Sequence, residues 1–197
     1  MTSIHTACVF CGSATPPDDR YGATARELGA LLARLGIELV YGGGTVGLMG
    51  QIADAALAGG GRVTGVIPVG LFASEVGHPG LTALHEVASM HERKRLMYDL
   101  SDGFIALPGG FGTLEELAEV TTWSQLGLHA KPVVLLDVDD FWGPLAAQLD
   151  RMVRVGLLTA ASRALVRRAS TPAAALSALS AAKPAADPVK RISAAER

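Results

Sequence analysis

Cysteine is nearly missing from this 197-residue chain, which has only Cys8 and Cys11. A structural zinc site needs a second ligand pair, and none follows at a suitable spacing. A redox pair sits at a helix N-terminus, whereas Cys8 lies inside the apolar run Ala7-Cys8-Val9-Phe10. The two thiols therefore read as small residues of a buried strand and its end. Lysine is scarce too: Lys94, Lys131, Lys183 and Lys190 are all there are. There is no surplus of positive charge, with 17 Lys and Arg against 19 Asp and Glu, a net charge of −2 and a pI of about 6.2. That balance argues against a nucleic-acid footprint, which needs clustered cations. No apolar run approaches the ~18 residues of a membrane span. The first residues, Met1-Thr2-Ser3-Ile4-His5-Thr6, carry neither a basic region nor a long apolar one. A soluble, cytoplasmic protein with no nucleic-acid or membrane partner is expected. The five histidines show no H-x-x-x-H or related spacing, so no metal is assigned.

What is present is a globular composition, 49% hydrophobic, in a chain of one-domain length. Short apolar runs alternate with helical stripes. Strands are expected at Thr6 to Phe10, Glu38 to Tyr41, Arg62 to Ile67, Leu84 to Val87, from Gly103, at Pro132 to Leu136 and at Ala164 to Ala169. Between them, Leu28, Leu31, Leu32 and Leu35 give an i, i+3, i+4, i+7 helix, capped by Asp18 or Asp19 and stopped at Gly36. Further helices follow Gly44, run from Met90 to Ser101, from the Pro108 loop to about Leu126 and from Phe141 to Val155, and start at Thr171-Pro172. Pro68 to Thr82 reads as a functional loop. This order predicts an α/β fold: a single Rossmann-like, doubly wound, mostly parallel sheet with helices on both faces, over residues 1–180. Residues 181–197 lack periodicity and are expected to be a disordered tail. In such sheets ligands bind outside the C-terminal strand ends. Gly12-Ser13, the Gly42 loop and the Pro108 loop all follow strands and can converge there.

Two glycine loops carry the chemistry. Gly42-x-Gly44-x-x-Gly47 matches the dinucleotide fingerprint in spelling. The next strand, however, ends Gly65-Val66-Ile67-Pro68 without the ribose-binding carboxylate that a nicotinamide site needs. A phosphate loop built on Gly43, Gly44 and Thr45 competes with a plain helix–sheet turn. No Gly-Lys-Ser/Thr follows, so this is not a P-loop. The second loop, Pro108-Gly109-Gly110-Phe111-Gly112-Thr113, puts free amides at a helix start, which suits an anion. Thr113 can cap that helix or donate to a phosphate. Leu114, Leu117, Ala118 and Thr121 form its apolar stripe, with Glu115 and Glu119 on a solvated face. Glu116 stands on the flank, where it can reach a cleft edge. A carboxylate has no use in gripping phosphate, so it points to chemistry beside the phosphate; an ordinary first-turn glutamate is the plain alternative. In His91-Glu92-Arg93-Lys94-Arg95 the charges read as a solvated face. Arg93 shares a side with Met97 and can reach over the apolar surface toward the sheet ends.

Pro108 to Glu116, Pro-Gly-Gly-x-Gly-Thr-x-x-Glu, resembles the signature of the LONELY GUY (LOG) family, the cytokinin riboside 5′-monophosphate phosphoribohydrolases. Met90 to Lys94, Val40 to Gly44 with Val46 to Gly50, Thr122 to Gly127 and Cys11-Gly12-Ser13 are similar to further blocks of that family, over roughly the first 160 to 170 residues. The resemblance implies hydrolysis of the N-glycosidic bond of an N6-substituted AMP or AMP itself, giving free base (cytokinin or adenine) and ribose 5-phosphate. It implies Arg93 and Glu116 as the catalytic pair. Glu75, Lys94, Thr122 and the loop Gly110, Phe111, Gly112, Thr113, Leu114, Glu115 and Glu116 would hold the nucleoside monophosphate. Gly12, Ser13, Gly43, Gly44, Thr45 and an apolar wall from Met90, Met97 and the Pro68–Pro79 loop would assist. It implies no cofactor, and a homodimer with the glutamate-bearing helix near the interface. Members once carried a lysine decarboxylase label; pyridoxal chemistry needs a Schiff-base lysine, for which Lys94 is the one candidate near the site. The rival readings are a non-catalytic nucleotide or molybdenum-cofactor carrier, which needs the loops but not the Arg93/Glu116 pair, and a nicotinamide oxidoreductase.

Overall fold

A computed structural model describes residues 4–70 and 77–181. Glu75 and almost all of the expected tail lie outside the described residues. The strands are β1 (Thr6–Phe10), β2 (Glu38–Tyr41), β3 (Val63–Pro68), β4 (Ala83–Val87), β5 (Gly103–Ala106), β6 (Val133–Leu136) and β7 (Val166–Ala169). The helices are α1 (Asp19–Arg34), α2 (Gly47–Ala58), α3 (Met90–Asp99), α4 (Phe111–Gln125), α5 (Gly143–Arg154), α6 (Ala160–Arg163) and α7 (Pro172–Ser180). Every strand pairing is parallel, in the order β4-β3-β2-β1-β5-β6-β7. The chain thus winds outward from β1 to one edge, returns to β5 beside β1, and winds to the other edge. The switch point between β1 and β5 opens a crevice at their C-terminal ends.

Central strands buried on both faces require unbroken apolar runs, which β1, β5 and β6 supply. Along β1, Ala7 and Val9 pack on one layer while Cys8 and Phe10 pack on the other, as the period of two demands. The first layer is α1, α2 and α7, bringing Leu28, Leu32, Ile52 and Leu179. The second holds Met97 of α3, Leu117 and Val120 of α4, and Trp142. Both cysteines are free and buried in this core.

Two expectations need correction, and one element had no expectation. The stretch Ala160–Arg163 is a short helix whose cap Thr159 accepts from Ser162 N–H. Helix α4 begins earlier than expected, at Phe111, with Gly110 as its cap and no side-chain cap bond. Thr113 is thus inside the first turn and does not cap. The inward face of α4 is Thr113, Leu117, Val120 and Ser124. Of the predicted stripe only Leu117 is buried, and Leu114 is 37% exposed.

The start of α1 is settled: Asp18 is the cap, accepting from Arg20 N–H at 2.9 Å, while Asp19 lies in the first turn. Asp18→Ala is expected to cost about 1 kcal/mol in urea unfolding, and Asp19→Ala measurably less.

Candidate active site

The crevice holds a cavity of about 310 Å³. The end of β1 supplies Phe10 and Cys11, followed by Gly12 and Ser13; Gly42 comes from the loop after β2, Met49 from α2, Met90, Arg93 and Met97 from α3, and Gly110 to Thr113, Glu115 and Glu116 from the start of α4. The loops are stitched through Gly12, whose N–H donates to Pro108 O (3.1 Å) and whose carbonyl accepts from Leu48 N–H (3.0 Å).

Helix α3 is set by a capping box. Ser89 accepts from Glu92 N–H, and the Glu92 carboxylate reaches back to Ala88 N–H. That start fixes the rotation of the helix and turns Arg93 inward. Arg93 is 8% exposed. Its Nε donates to Val66 O within β3 (3.0 Å) and its Nη2 to Gly42 O just past the end of β2 (2.8 Å). A Cβ on Gly42 would lie 2.0 Å from Nη2, so only glycine admits the guanidinium here. The donors left over, including Nη1 beside Met90 Sδ, are available to the cavity.

Helix α4 presents an open N-terminus. Its first internal bond is Leu114 N–H to Gly110 O, 3.1 Å. The amides of Phe111, Gly112 and Thr113 precede that bond and line the cavity without a side-chain cap. Such a terminus attracts an anion through its N–H groups and its dipole. The Thr113 side chain is buried over Gly109, where a Cβ would meet Oγ1 at 2.1 Å. Phe111 stands 92% exposed at the mouth.

One turn in, Glu116 faces the same space. Burial pushes its carboxyl up to about 7; Glu115 and Glu119 add to the rise, while Arg93 and Lys94 oppose it. The cavity thus joins a cation already tied to backbone carbonyls with a carboxylate whose titration is raised to about 7.

The described structure brings together Gly12, Ser13, Met90, Arg93, Gly110, Phe111, Gly112, Thr113, Glu115 and Glu116. It does not bring six others. Gly43 packs against β3 and Leu84, with its carbonyl taken by His78 N–H. Gly44 carries an isolated bridge to Gly77 and accepts from the Tyr41 hydroxyl. Thr45 is exposed, and of this loop Gly42 alone lines the cavity. Lys94 bonds Glu115 and Glu119 instead, so those two glutamates are not the freely solvated face expected. Leu114 and Thr122 line a different, apolar groove between α4, α5 and α6. Sequence reasoning missed Cys11, Gly42 and Met49. Proximity to Gly12 and the inward stripe of α2 were the available signals.

The donor set does not fit pyridoxal phosphate. Among the described residues the lysines are Lys94, held by two carboxylates, and Lys131, whose ammonium sits over the Tyr98 ring and donates to Tyr98 O at the end of α3. Neither lines the cavity.

The fold and the crevice at its switch point place the chain among the Rossmann-like α/β proteins. It belongs to the LOG family: the family model described as "Possible lysine decarboxylase" matches residues 49–179. The chain is 50% identical over 159 residues to the cytokinin riboside 5′-monophosphate phosphoribohydrolase of Rhodococcoides fascians, covering 80% of each chain. It is 48% identical over 164 residues to the cytokinin riboside 5′-monophosphate phosphoribohydrolase LOG of Oryza sativa subsp. japonica, covering 83% of this chain and 68% of that one. Among solved structures, the molybdenum cofactor binding protein from the phototrophic bacterium Rippkaea orientalis is similar with a TM-score of 0.64 at 25% identity, over 87% of this chain and 91% of that one.

The raised pKa of Glu116 has a thermodynamic sign. The folded state keeps its proton after the unfolded state has lost it, so stability falls as pH rises from about 4.5 to about 7. Glu116→Gln removes that penalty. The variant is expected to be more stable than wild type at pH 8 by about 1–2 kcal/mol, allowing for partial exposure, and equal to it at pH 4. Denaturant titrations at the two pH values check this.

Proposed function

We propose that this protein is a phosphoribohydrolase that cleaves the N-glycosidic bond of adenosine 5′-monophosphates, including N6-substituted ones, to free base and ribose 5-phosphate. The observation that carries the reading is the pairing, in one cavity, of an uncapped helix N-terminus with the Arg93/Glu116 pair. The name shared by relatives at about half identity supports it.

The 5′-phosphate sits on the amides of Phe111, Gly112 and Thr113. The spare N–H groups of Arg93 hold ribose or phosphate oxygens in charge-assisted bonds. As the C1′–N bond breaks, its electron pair leaves with the base, which takes a proton from solvent. Positive charge spreads over C1′ and the ring oxygen. The ionised Glu116 stabilises that charge and accepts the proton of the attacking water, whose oxygen bonds to C1′; the roles follow the general logic of glycoside hydrolysis. Met49, Met90, Met97 and Phe111 give the base an apolar surround. A carrier needs the loops but has no use for a near-neutral carboxylate beside a buried arginine. The reading sets the activity in the cytoplasm.

With isopentenyladenosine 5′-monophosphate, Glu116→Gln and Arg93→Ala are each expected to lower kcat at least about 100-fold. Near-wild-type base release by either contradicts the assignment. Absence of free adenine or cytokinin from wild type, across AMP and its N6-substituted forms, favours the carrier.

We further infer a homodimer through the groove of about 340 Å³ lined by Leu114, Leu117, Leu145, Leu149 and Leu158. The Thr121 hydroxyl beside it is buried without a partner, and Leu157, 82% exposed, stands on the neighbouring turn. A contiguous apolar face of this kind seeks a cover, and one that includes the glutamate-bearing helix suits a second copy. Leu158→Asp is expected to halve the mass seen by light scattering; an unchanged mass places the interface elsewhere.

A further inference from the structure

Three carboxylates stand within five residues of α4: Glu115, Glu116 and Glu119. Only Glu116 enters the proposed chemistry. The other two converge on one cation, Lys94 Nζ, which bonds Glu119 Oε1 at 3.0 Å and Glu115 Oε1. The Lys94 side chain is 10% exposed and does not line the cavity. Its neighbours on α3 have other partners: Arg93 bonds backbone carbonyls and Arg95 bonds Asp99. Lys94 is therefore the one α3 cation that binds the acidic face of α4.

From this geometry we propose that Lys94 is a positioning residue: it clamps Glu115 and Glu119 and cancels part of their field at Glu116, rather than binding substrate. The inference rests on the reading of Glu116 as the reacting carboxylate, and it departs from the substrate-holding role that the family resemblance implies. The groups that bear on Glu116 are Arg93 and Lys94 from α3, Glu115 and Glu119 from its own helix, Cys8 from β1 and Cys11 just after it. The cysteines stay neutral because burial raises both thiols. The balance near Glu116 is thus set by two cations and two anions. Deleting Lys94 leaves two uncompensated like charges on its helix. Deleting Glu119 with it restores the native net charge of this cluster.

The test is the pH profile of kcat/KM for isopentenyladenosine 5′-monophosphate in Lys94→Met, Glu119→Gln and the double variant. Titration of the substrate phosphate is common to all and cancels in the comparison. Lys94→Met is expected to move the acid limb up by about 0.5–1 pH unit, so that the rate falls several-fold at pH 6.5 and recovers at pH 9. Glu119→Gln moves the limb down, and the double variant returns it to the wild-type position. A uniform loss in Lys94→Met at every pH, not restored by Glu119→Gln, makes Lys94 a substrate ligand and overturns the inference. If Lys94→Met does not fold, Lys94→Arg decides: a limb and rate at the wild-type position support the clamp, and a uniform loss at every pH overturns it. Glu116→Gln separates the two claims. If that variant is dead and the Lys94 series shows no shift, the inference alone fails; if it stays active, the catalytic reading fails and takes the inference with it.

Discussion

A buried guanidinium organises this site. An isolated cation in a protein interior costs several kcal/mol unless it is hydrogen-bonded. Arg93 meets that cost with the carbonyls of Val66, in β3, and Gly42, just past the end of the adjacent β2. The same two bonds explain several neighbours. Gly42 must lack a side chain because the guanidinium occupies its Cβ position. Met97, one turn along α3, is driven into the core at 1% exposure. The capping box at Ser89 and Glu92 fixes the helix rotation that makes the reach possible. With two donors committed to backbone, Arg93 cannot swing away, so its remaining donors meet a ligand already in place.

The fold delivers the other half of the site from the far side of the switch point. Because β5 lies beside β1 rather than beside β4, the helix after β5 starts directly across the crevice from the loop after β1. A glycine cap leaves the start of α4 open. One helical turn then separates the anion-binding amides from Glu116, about the scale of a ribose phosphate. The apolar groove on the outer side of α4 is a separate surface. It accounts for why Leu114 and Thr122, neighbours of the signature in sequence, point away from the cavity.

Much of the architecture was legible in the chain. Short apolar runs and helical stripes locate the described strands within about two residues; the central ones, buried on both faces, leave a contiguous signal. The fate of Arg93 was legible too, since a lone cation on the side of Met97 must cross apolar surface to reach acceptors. Other features depend on partners distant in sequence. Thr113 looks like a cap, but Gly110 takes that place because Thr113 packs over Gly109. Glu115 and Glu119 look solvated until α3 brings Lys94 to them from some twenty residues away. The stripe of α4 was misread because an apolar row can serve a core or an outer groove with the same period. The loop Gly43 to Thr45 looks like a phosphate cradle by composition, yet it is turned toward β3 and the Gly77 bridge, and none of the three residues lines the cavity.

The proposed chemistry turns on one carboxylate whose titration burial raises toward neutral pH, beside a fixed cation. Carbon-13 titration of the glutamate side-chain carboxyls reads that state without reference to any substrate. One resonance is predicted to titrate with a midpoint of about 7 and to vanish in Glu116→Gln. If every glutamate instead titrates near the ordinary value of about 4.3, the poised carboxylate does not exist and the account is contradicted.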